Sequence, residues 1–192
     1  YVGLLLQFNS FFGAWANIVV VGLDVSTSIT GATIIDSNGD IAYCESWDTR
    51  KFKSFFEKAS HIDNKLTTVK KDYNIERVVI EQSLQMFRPG FSSAKVLTLL
   101  SKFNGVVSWL SYNTFGLEPE YMSANSARKS CGIKVERGKK AKEVVLKFVL
   151  DNVDGFEVQY TRSNNPKPGS YDRADSYVVA RAGYLECQKQ EK

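Results

Sequence analysis

The feature that most constrains the fold is a pair of β-branched, apolar runs in residues 19–40, VVVGLDVSTSITGATIIDSNGD. The first run ends on an acid, Asp24, and a turn rich in serine and threonine connects it to the second. Short runs of this kind predict buried strands, here over residues 18–23 and 28–35. Asn38-Gly39 suits a tight hairpin turn that leads into a third strand over residues 41–47. The chain is therefore predicted to open with three antiparallel strands.

A helix and a further buried strand follow this meander. Residues 51–73 carry apolar side chains three or four positions apart, which predicts a helix, and residues 76–82 predict a strand ending at a second acid, Glu81. A strand reached through such a crossover lies parallel to an earlier one. The remaining predicted elements are helices over 92–113, 124–131, 139–151 and from about Asp172 to about Gln188, a strand over 118–123 and a loop over 161–171. This order predicts an α/β fold with a central mixed five-stranded sheet, three antiparallel strands and then parallel ones, flanked by helices.

Length and composition favour one globular domain. The chain has 192 residues, of which 43% are hydrophobic, and this excludes a disordered protein. We expect the uncharged apolar segment 1–17 to lie outside the functional domain, which spans residues 18–190. Polar residues interrupt this segment, so no membrane span is expected. The odd number and wide spacing of the cysteines predict reduced thiols in a cytoplasmic protein, of bacterial origin or in the host cell of a phage or virus; they are Cys44, Cys131 and Cys187.

Four carboxylates are predicted to converge. Parallel neighbouring strands would place Asp24 and Glu81 side by side at one edge of the sheet, where α/β proteins bind ligands. Asp172 and Asp175 are three residues apart and share the first turn of the last predicted helix, whose dipole tolerates negative charge. Each acid alone is typical of a solvated strand end or helix start. Together they predict a site for hard divalent cations such as Mg²⁺, and two such ions about 4 Å apart suit phosphodiester hydrolysis.

Basic residues are concentrated in one segment. Residues 125–147 hold eight lysines and arginines against two glutamates, in a chain whose net charge is only +4. Such a concentration is typical of a surface that contacts nucleic-acid phosphates, although a solvated helix face has the same pattern. The residues predicted to contact DNA are Arg128, Lys129, Lys134, Arg137, Lys139, Lys140 and Lys142. The only histidine, His61, is assigned no role.

Five separated stretches together resemble the successive motifs of the RuvC-type Holliday junction resolvases over about residues 18–188. The matching stretches are VVGLDVSTSITGATIID, VVIEQ, SSAKVLTLLSKFNGVVSWL, SARKSCGIKVERGKKAKEVV and YDRADSYVVA. The resemblance implies an RNase H-like fold and a homodimer that cuts four-way DNA junctions with two Mg²⁺ per active site, which Mn²⁺ can replace. It assigns catalysis and metal binding to Asp24, Glu81, Asp172 and Asp175. It also implies that Lys129 and either Lys139 or Lys140 face the scissile phosphate.

The sequence departs from the family pattern in two places. Val25-Ser26 stands where the family usually has Pro-Gly. The family's aromatic wedge after the Glu-Gln pair is replaced by Leu84, with Met86 and Phe87 beyond it, and these three residues are the expected contacts to the junction core. Both departures also fit a debranching nuclease of phage or viral type. The predicted helix 92–113 is apolar around most of its circumference, and we expect it to form the homodimer interface.

Three other functions stay open. GLDVSTSITGATII also resembles the first phosphate loop of the sugar kinase, heat-shock chaperone and actin superfamily, but the second lobe and second glycine-rich loop of that fold are missing from the sequence. A nucleic-acid-binding module without catalysis would not need all four acids. Another RNase H-like nuclease, acting on RNA or in viral DNA packaging, would need them.

Overall fold

The computed structural model of the protein describes residues 18–83 and 93–189. Within them, strands β1 to β5 are Val20–Asp24, Ile29–Ile35, Ile41–Asp48, Arg77–Glu81 and Glu120–Met122. Helices α1 to α5 are Phe55–Asp72, Ala94–Phe115, Ala124–Ser130, Ala141–Asn152 and Ser170–Lys189. The strands form one sheet in the order β3-β2-β1-β4-β5, with antiparallel pairing from β3 to β1 and parallel pairing from β1 to β5. The predicted mixed five-stranded sheet is confirmed.

The sheet is covered on both faces. Helices α1 and α2 pack on one face, with Leu66 and Phe103 fully buried against β1 and β4. Helix α5 packs on the other face, and α3 and α4 pack against α5. Alternation along β1 decides which face each side chain meets: Val21 and Leu23 belong to the α1–α2 side, and Val20 to the α5 side.

Four of the five helices begin two to four residues from their predicted starts, and α1 and α5 show why. Helix α1 begins at Phe55, not at residue 51, because Ser54 and Glu57 form a capping box. The Ser54 side chain accepts a hydrogen bond from a backbone N–H of the first turn, and the Glu57 side chain accepts one from the backbone N–H of Ser54. Helix α5 begins at Ser170, before the predicted Asp172. Asp172 therefore lies in the first turn as predicted, but Asp175 lies in the second.

Other parts of the prediction have simpler outcomes. The cysteines Cys44, Cys131 and Cys187 are free, as predicted. Among the helices of residues 18–83 and 93–189, none combines the length and the apolar character that a membrane crossing requires. The expected junction-core contacts Leu84, Met86 and Phe87, like segment 1–17, lie outside the described residues.

Glycine lets α5 approach the sheet closely. A Cβ atom added to Gly31 of β2 would lie 1.9 Å from the carbonyl oxygen of Asp172, and one added to Gly22 of β1 would lie 2.3 Å from the backbone nitrogen of Ala180. Both neighbours are helix backbone, which cannot move aside as the end of a flexible side chain can. The absence of side chains at these two positions thus sets the distance between α5 and the sheet, and with it the position of Asp172.

Gly31→Ala is expected to lower the free energy of unfolding by about 1–3 kcal/mol, because the methyl group pushes α5 away from β2. Urea unfolding followed by circular dichroism measures this change. Thr67→Ala, at an exposed position on α1, is the control and should change stability by less than about 0.5 kcal/mol. Equal stability of Gly31→Ala and the wild type would contradict the close contact between β2 and α5.

Candidate active site

Asp24 and Glu81 lie next to each other at the carboxyl ends of two parallel strands. In the β1–β4 pairing Leu23 is opposite Ile80, so the next residue on each strand is one of the two acids. Leu23 and Ile80 face α1 and α2, and the alternation of a strand therefore turns both acids to the α5 side. The predicted adjacency of these two strand ends is present in the structure.

The first two turns of α5 bring Asp172 and Asp175 to the same end of the sheet. Helix α5 runs antiparallel to β1: Asp172 lies over Gly31, and Ala180 lies over Gly22 two residues before Asp24. Electrostatic repulsion from Asp175, Asp172 and Glu81 acts on Asp24, so all four carboxylates share one region. The dipole of α5 also stabilises the negative charge of Asp172, because this residue lies in the first turn of the helix.

Burial raises the pKa of every carboxyl in this group, and repulsion between the acids adds to the effect at Asp24, Glu81 and Asp175. Burial has the largest effect on the pKa of Asp24, which lies well above its usual value, and repulsion from Glu81 is second. Burial, followed by repulsion from Asp175, raises the pKa of Glu81 to about 7. The pKa values of Asp172 and Asp175 are raised by burial in the same way, against the opposing effect of Lys142. Ionising all four groups is therefore costly unless a cation is present.

Lys142, in the first turn of α4, brings a cation to this group. Its Nζ lies 3.6 Å from Oδ2 of Asp175 and 3.9 Å from Oδ1 of Asp172. Partial burial would lower the pKa of Lys142, but attraction to the four acids, with Asp24 first and Asp175 second, raises it. The side chain is still 60% exposed, so it can move away without unpacking α4. Its ammonium group shows that this end of the sheet attracts positive charge.

The donor set suits Mg²⁺ by its chemistry. All four groups are carboxylates, the oxygen ligands that Mg²⁺ prefers, and each would gain from a nearby positive charge. In residues 18–83 and 93–189, no three His, Cys, Asp or Glu side chains are arranged closely enough to hold a metal ion as they stand. The fit rests on the kind of donor and on the position of the Lys142 ammonium group.

The predicted basic segment forms one side of this region. Arg128 lies on α3, close enough to lower the pKa of Glu81 and Asp175 against the effect of burial. A groove of about 560 Å³ begins there, lined by Asn125, Arg128, Lys129, Gly132, Ile133, Lys134 and Val135. Beyond the groove, the loop before α4 exposes Arg137, Lys139 and Lys140 to solvent. Basic side chains thus continue from the acidic group across the surface.

Two features of the site were not singled out from the sequence. Lys142 was predicted only as one of several phosphate contacts, whereas it is the lysine that reaches the acids; Lys140 instead pairs with Glu143 at 2.9 Å. Arg50, which follows β3, lies close enough to Asp172 to lower the pKa of that carboxyl. The sequence signal for Arg50 was its position two residues beyond the end of a strand that runs toward the acids.

Solved structures with the same fold include two kinds of Holliday junction resolvase. The RuvC protein of Thermus thermophilus in complex with a Holliday junction substrate is 15% identical, with a TM-score of 0.64 over 90% of this chain and 96% of that chain. A second structure of Thermus thermophilus RuvC is 16% identical, with a TM-score of 0.62 over 90% and 97%. The yeast mitochondrial Holliday junction resolvase Ydc2 is 17% identical, with a TM-score of 0.56 over 90% and 79%.

The likeness is one of structure. No protein-family model matches the sequence, and no curated protein matches it at a significant level. At identities of 15–17%, the TM-scores establish a shared fold over most of the chain. The fold implied by the sequence motifs is thereby confirmed: the chain has the RNase H-like fold of the RuvC-type Holliday junction resolvases.

Proposed function

We propose that the protein is a metal-dependent, structure-selective endonuclease that cuts branched DNA, including Holliday junctions, by phosphodiester hydrolysis. The observation that carries this proposal is the gathering of Asp24, Glu81, Asp172 and Asp175 around the ammonium group of Lys142 at one end of the sheet. A protein that only binds nucleic acid has no use for four partly buried acids whose ionisation is costly. The shared fold of the resolvases supports the same function.

The chain's own residues divide into three roles. The four carboxylates would hold Mg²⁺, or Mn²⁺ in its place, and a pair of such ions would supply charge for the phosphate and lower the pKa of the attacking water. Lys142 partly neutralises the acids, and its exposed ammonium group is placed to contact a phosphate oxygen of a bound substrate. Arg128 and the exposed lysines of the basic segment hold the flanking DNA backbone.

The direct test compares three labelled DNA substrates with and without Mg²⁺. They are a four-way junction, a Y-shaped fork and a linear duplex of the same sequence. We expect cleavage of the branched substrates in Mg²⁺ and none in EDTA. Binding without cleavage would identify a nucleic-acid-binding module, and cleavage of RNA or of linear DNA alone would identify another RNase H-like nuclease.

The basic segment should contribute to DNA affinity through phosphate contacts. Lys139→Ala combined with Lys140→Ala is expected to reduce the slope of log K against log salt concentration by about 1.8, because each lost duplex contact accounts for about 0.9. Fluorescence anisotropy between about 50 and 200 mM salt measures the slope. Lys71→Ala, an exposed lysine at the opposite end of the sheet, is the control and should leave the slope unchanged. An unchanged slope in the double variant would make this segment an ordinary solvated surface.

We also propose that the active molecule is a homodimer formed through α2. The outward side of this helix carries Trp109, which is 62% exposed, and Tyr112, which is 53% exposed. Gly105 lies one turn before Trp109, and apart from its neighbours and the backbone of its own helix no described atom lies within 4 Å of a Cβ added there. A glycine inside a helix costs about 1 kcal/mol relative to alanine, and nothing in the described chain offsets that cost. A second α2 packed across Gly105 and Trp109 would cover the apolar surface.

A further inference from the structure

A second aromatic and basic surface lies at the corner where β3 ends and α1 begins. Residues 50–53 are Arg-Lys-Phe-Lys, and α1 then opens with Phe55 and Phe56. Phe55 turns inward and its ring lies 5.3 Å from that of Phe103 in an edge-to-face contact. Phe56 turns outward and is 77% exposed, more than any other large hydrophobic side chain of the described residues. Packing of the fold therefore explains Phe55 but not Phe56.

Phe56 forms part of the lining of a shallow cavity that is open to solvent. The cavity has a volume of about 430 Å³ and is lined by Phe52, Ser54, Phe56, Glu57, Ser60, His61 and Asn64. The ring of Phe52 is held by His61, with ring centroids 5.1 Å apart. Ser54 and Glu57 are engaged in the capping box of α1, whereas Ser60, His61 and Asn64 contribute hydroxyl, imidazole and amide groups. An aromatic ring can stack on a nucleobase, and neighbouring polar side chains can form hydrogen bonds to the edge of the same base. This lining therefore suits a planar, hydrogen-bonding ring such as a nucleobase.

The charge around the cavity favours a polyanion. Residues 48–58 contain four basic and two acidic residues. Both acids are already engaged: Asp48 pairs with Arg50 at 2.5 Å, and Glu57 accepts a hydrogen bond in the helix cap. Lys51 places its Nζ 5.0 Å from the centroid of Phe52, beside the aromatic lining. Phosphates on either side of a bound base would find positive charge there.

The cavity belongs to the same end of the molecule as the acidic group. Lys58 donates a hydrogen bond to the Thr27 carbonyl oxygen at 2.6 Å, and Thr49 donates to the same oxygen at 3.0 Å. Thr27 lies in the turn that directly follows β1 and Asp24. The corner is thus fixed to the strand end that presents Asp24. It follows β3, at one edge of the sheet, whereas the predicted basic segment follows β5, at the other edge.

We propose that this cavity binds an unpaired base of the DNA substrate, stacked on Phe56, while Lys51 and Lys53 contact its flanking phosphates. The inference rests on the proposed function in that DNA is the ligand, and it adds a substrate class: branched DNA that has single-stranded nucleotides at the branch. Forks and flaps would use this cavity, and a fully paired four-way junction would not.

The test measures binding in EDTA, so that it does not depend on catalysis. The probes are a fork with one single-stranded arm, carrying the fluorescent adenine analogue 2-aminopurine near the branch, and a fully paired junction. Phe56→Ala is expected to weaken fork binding by about tenfold or more, since stacking on an aromatic side chain contributes strongly for each base, and to leave junction binding within about twofold. Phe56→Leu, which keeps an apolar side chain without a ring, should match Phe56→Ala. Lys71→Ala should match the wild type.

The analogue supplies a readout that a purely structural role would not change. Its emission should fall when the wild type binds the fork and should stay constant with Phe56→Ala. Equal losses on fork and junction, unchanged binding of both by Phe56→Ala, or normal affinity with Phe56→Leu would each overturn the inference. Cleavage in Mg²⁺ is recorded separately: cleavage without a response of the analogue rejects the cavity alone, and a response without cleavage rejects the nuclease alone.

Discussion

Asp24→Asn is expected to abolish strand cleavage and to leave the affinity for branched DNA nearly unchanged. The carboxylate of Asp24 lies at the end of β1, where Glu81, Asp175 and Asp172 all repel it, so it is close to the other three proposed ligands. Replacing it with an amide removes one negative charge from the proposed ligands. The basic surface proposed to contact DNA does not include Asp24, and the substitution lowers repulsion of the phosphates.

The expected loss of rate is large. Metal ions contribute several kcal/mol of stabilisation to a phosphoryl transition state, and about 4 kcal/mol corresponds to a thousandfold in rate. Nicking of a labelled four-way junction at saturating Mg²⁺ measures the rate, and a gel shift in EDTA measures binding. Asp36→Asn, in the β2–β3 turn at the opposite end of the sheet, is the matched control and should cleave at the wild-type rate. Normal cleavage by Asp24→Asn would remove this residue from the active site.

Thermal stability measured in EDTA shows whether the Asp24→Asn variant is folded. A carboxyl whose pKa is raised in the folded state stabilises the protein while it is protonated and loses that contribution as the pH rises. The unfolded pKa of a glutamate is about 4.3, and burial raises the folded pKa of Glu81 to about 7, so wild-type stability in EDTA should fall as the pH rises from about 4 to about 7. Asp24→Asn removes one of the repelling charges and should melt at a higher temperature than the wild type at pH 7. A lower melting temperature would mean that lost cleavage reflects damage to the fold.

The strand end occupied by Asp24 and Glu81 could be predicted from the sequence because it follows from local rules. A crossover helix makes β1 and β4 parallel, and parallel strands of equal length bring their last residues together. The helix ends were less predictable. The apolar spacing of residues 51–73 continues through Phe52, and only the Ser54–Glu57 capping box shows that α1 begins at Phe55.

The role of Lys142 could not be read from the sequence because it depends on tertiary packing. It is one of four lysines in residues 139–147, and their spacing does not indicate which of them contacts a phosphate and which contacts the acids. The packing of α4 against α5 brings Lys142 to Asp172 and Asp175 and leaves Lys140 paired with Glu143. The same limit applies to Phe55 and Phe56, because only the position of α1 on the sheet decides which ring is buried.

Trp109→Glu is expected to convert a homodimer into monomers. The side chain lies on the outward stripe of α2 with Gly105 and Tyr112, and burying a glutamate there against a second copy would leave an unpaired charge in an apolar contact. Loss of a central tryptophan alone weakens an interface by about 2 kcal/mol or more, which is about thirtyfold in Kd. Light scattering at micromolar concentration should give twice the chain mass of 21.6 kDa for the wild type and the chain mass for the variant. Leu150→Glu, on the 37% exposed Leu150 of α4, is the control and should stay dimeric.

The proposed dimer would matter for function because a four-way junction has two-fold symmetry and resolving it requires two matched cuts. Each chain supplies one group of four acids, so two chains related by a two-fold axis present two active sites with the symmetry of the junction. Trp109→Glu should therefore still nick junctions in Mg²⁺, because Asp24, Glu81 and α5 are unchanged, but the two cuts should become independent and the yield of resolved duplexes should fall. A supercoiled plasmid with an extruded cruciform separates the outcomes, since paired cuts linearise it and single cuts relax it. A wild-type protein that is monomeric yet linearises the plasmid would show that α2 is covered in another way, for example by segment 1–17, and would reject the dimer.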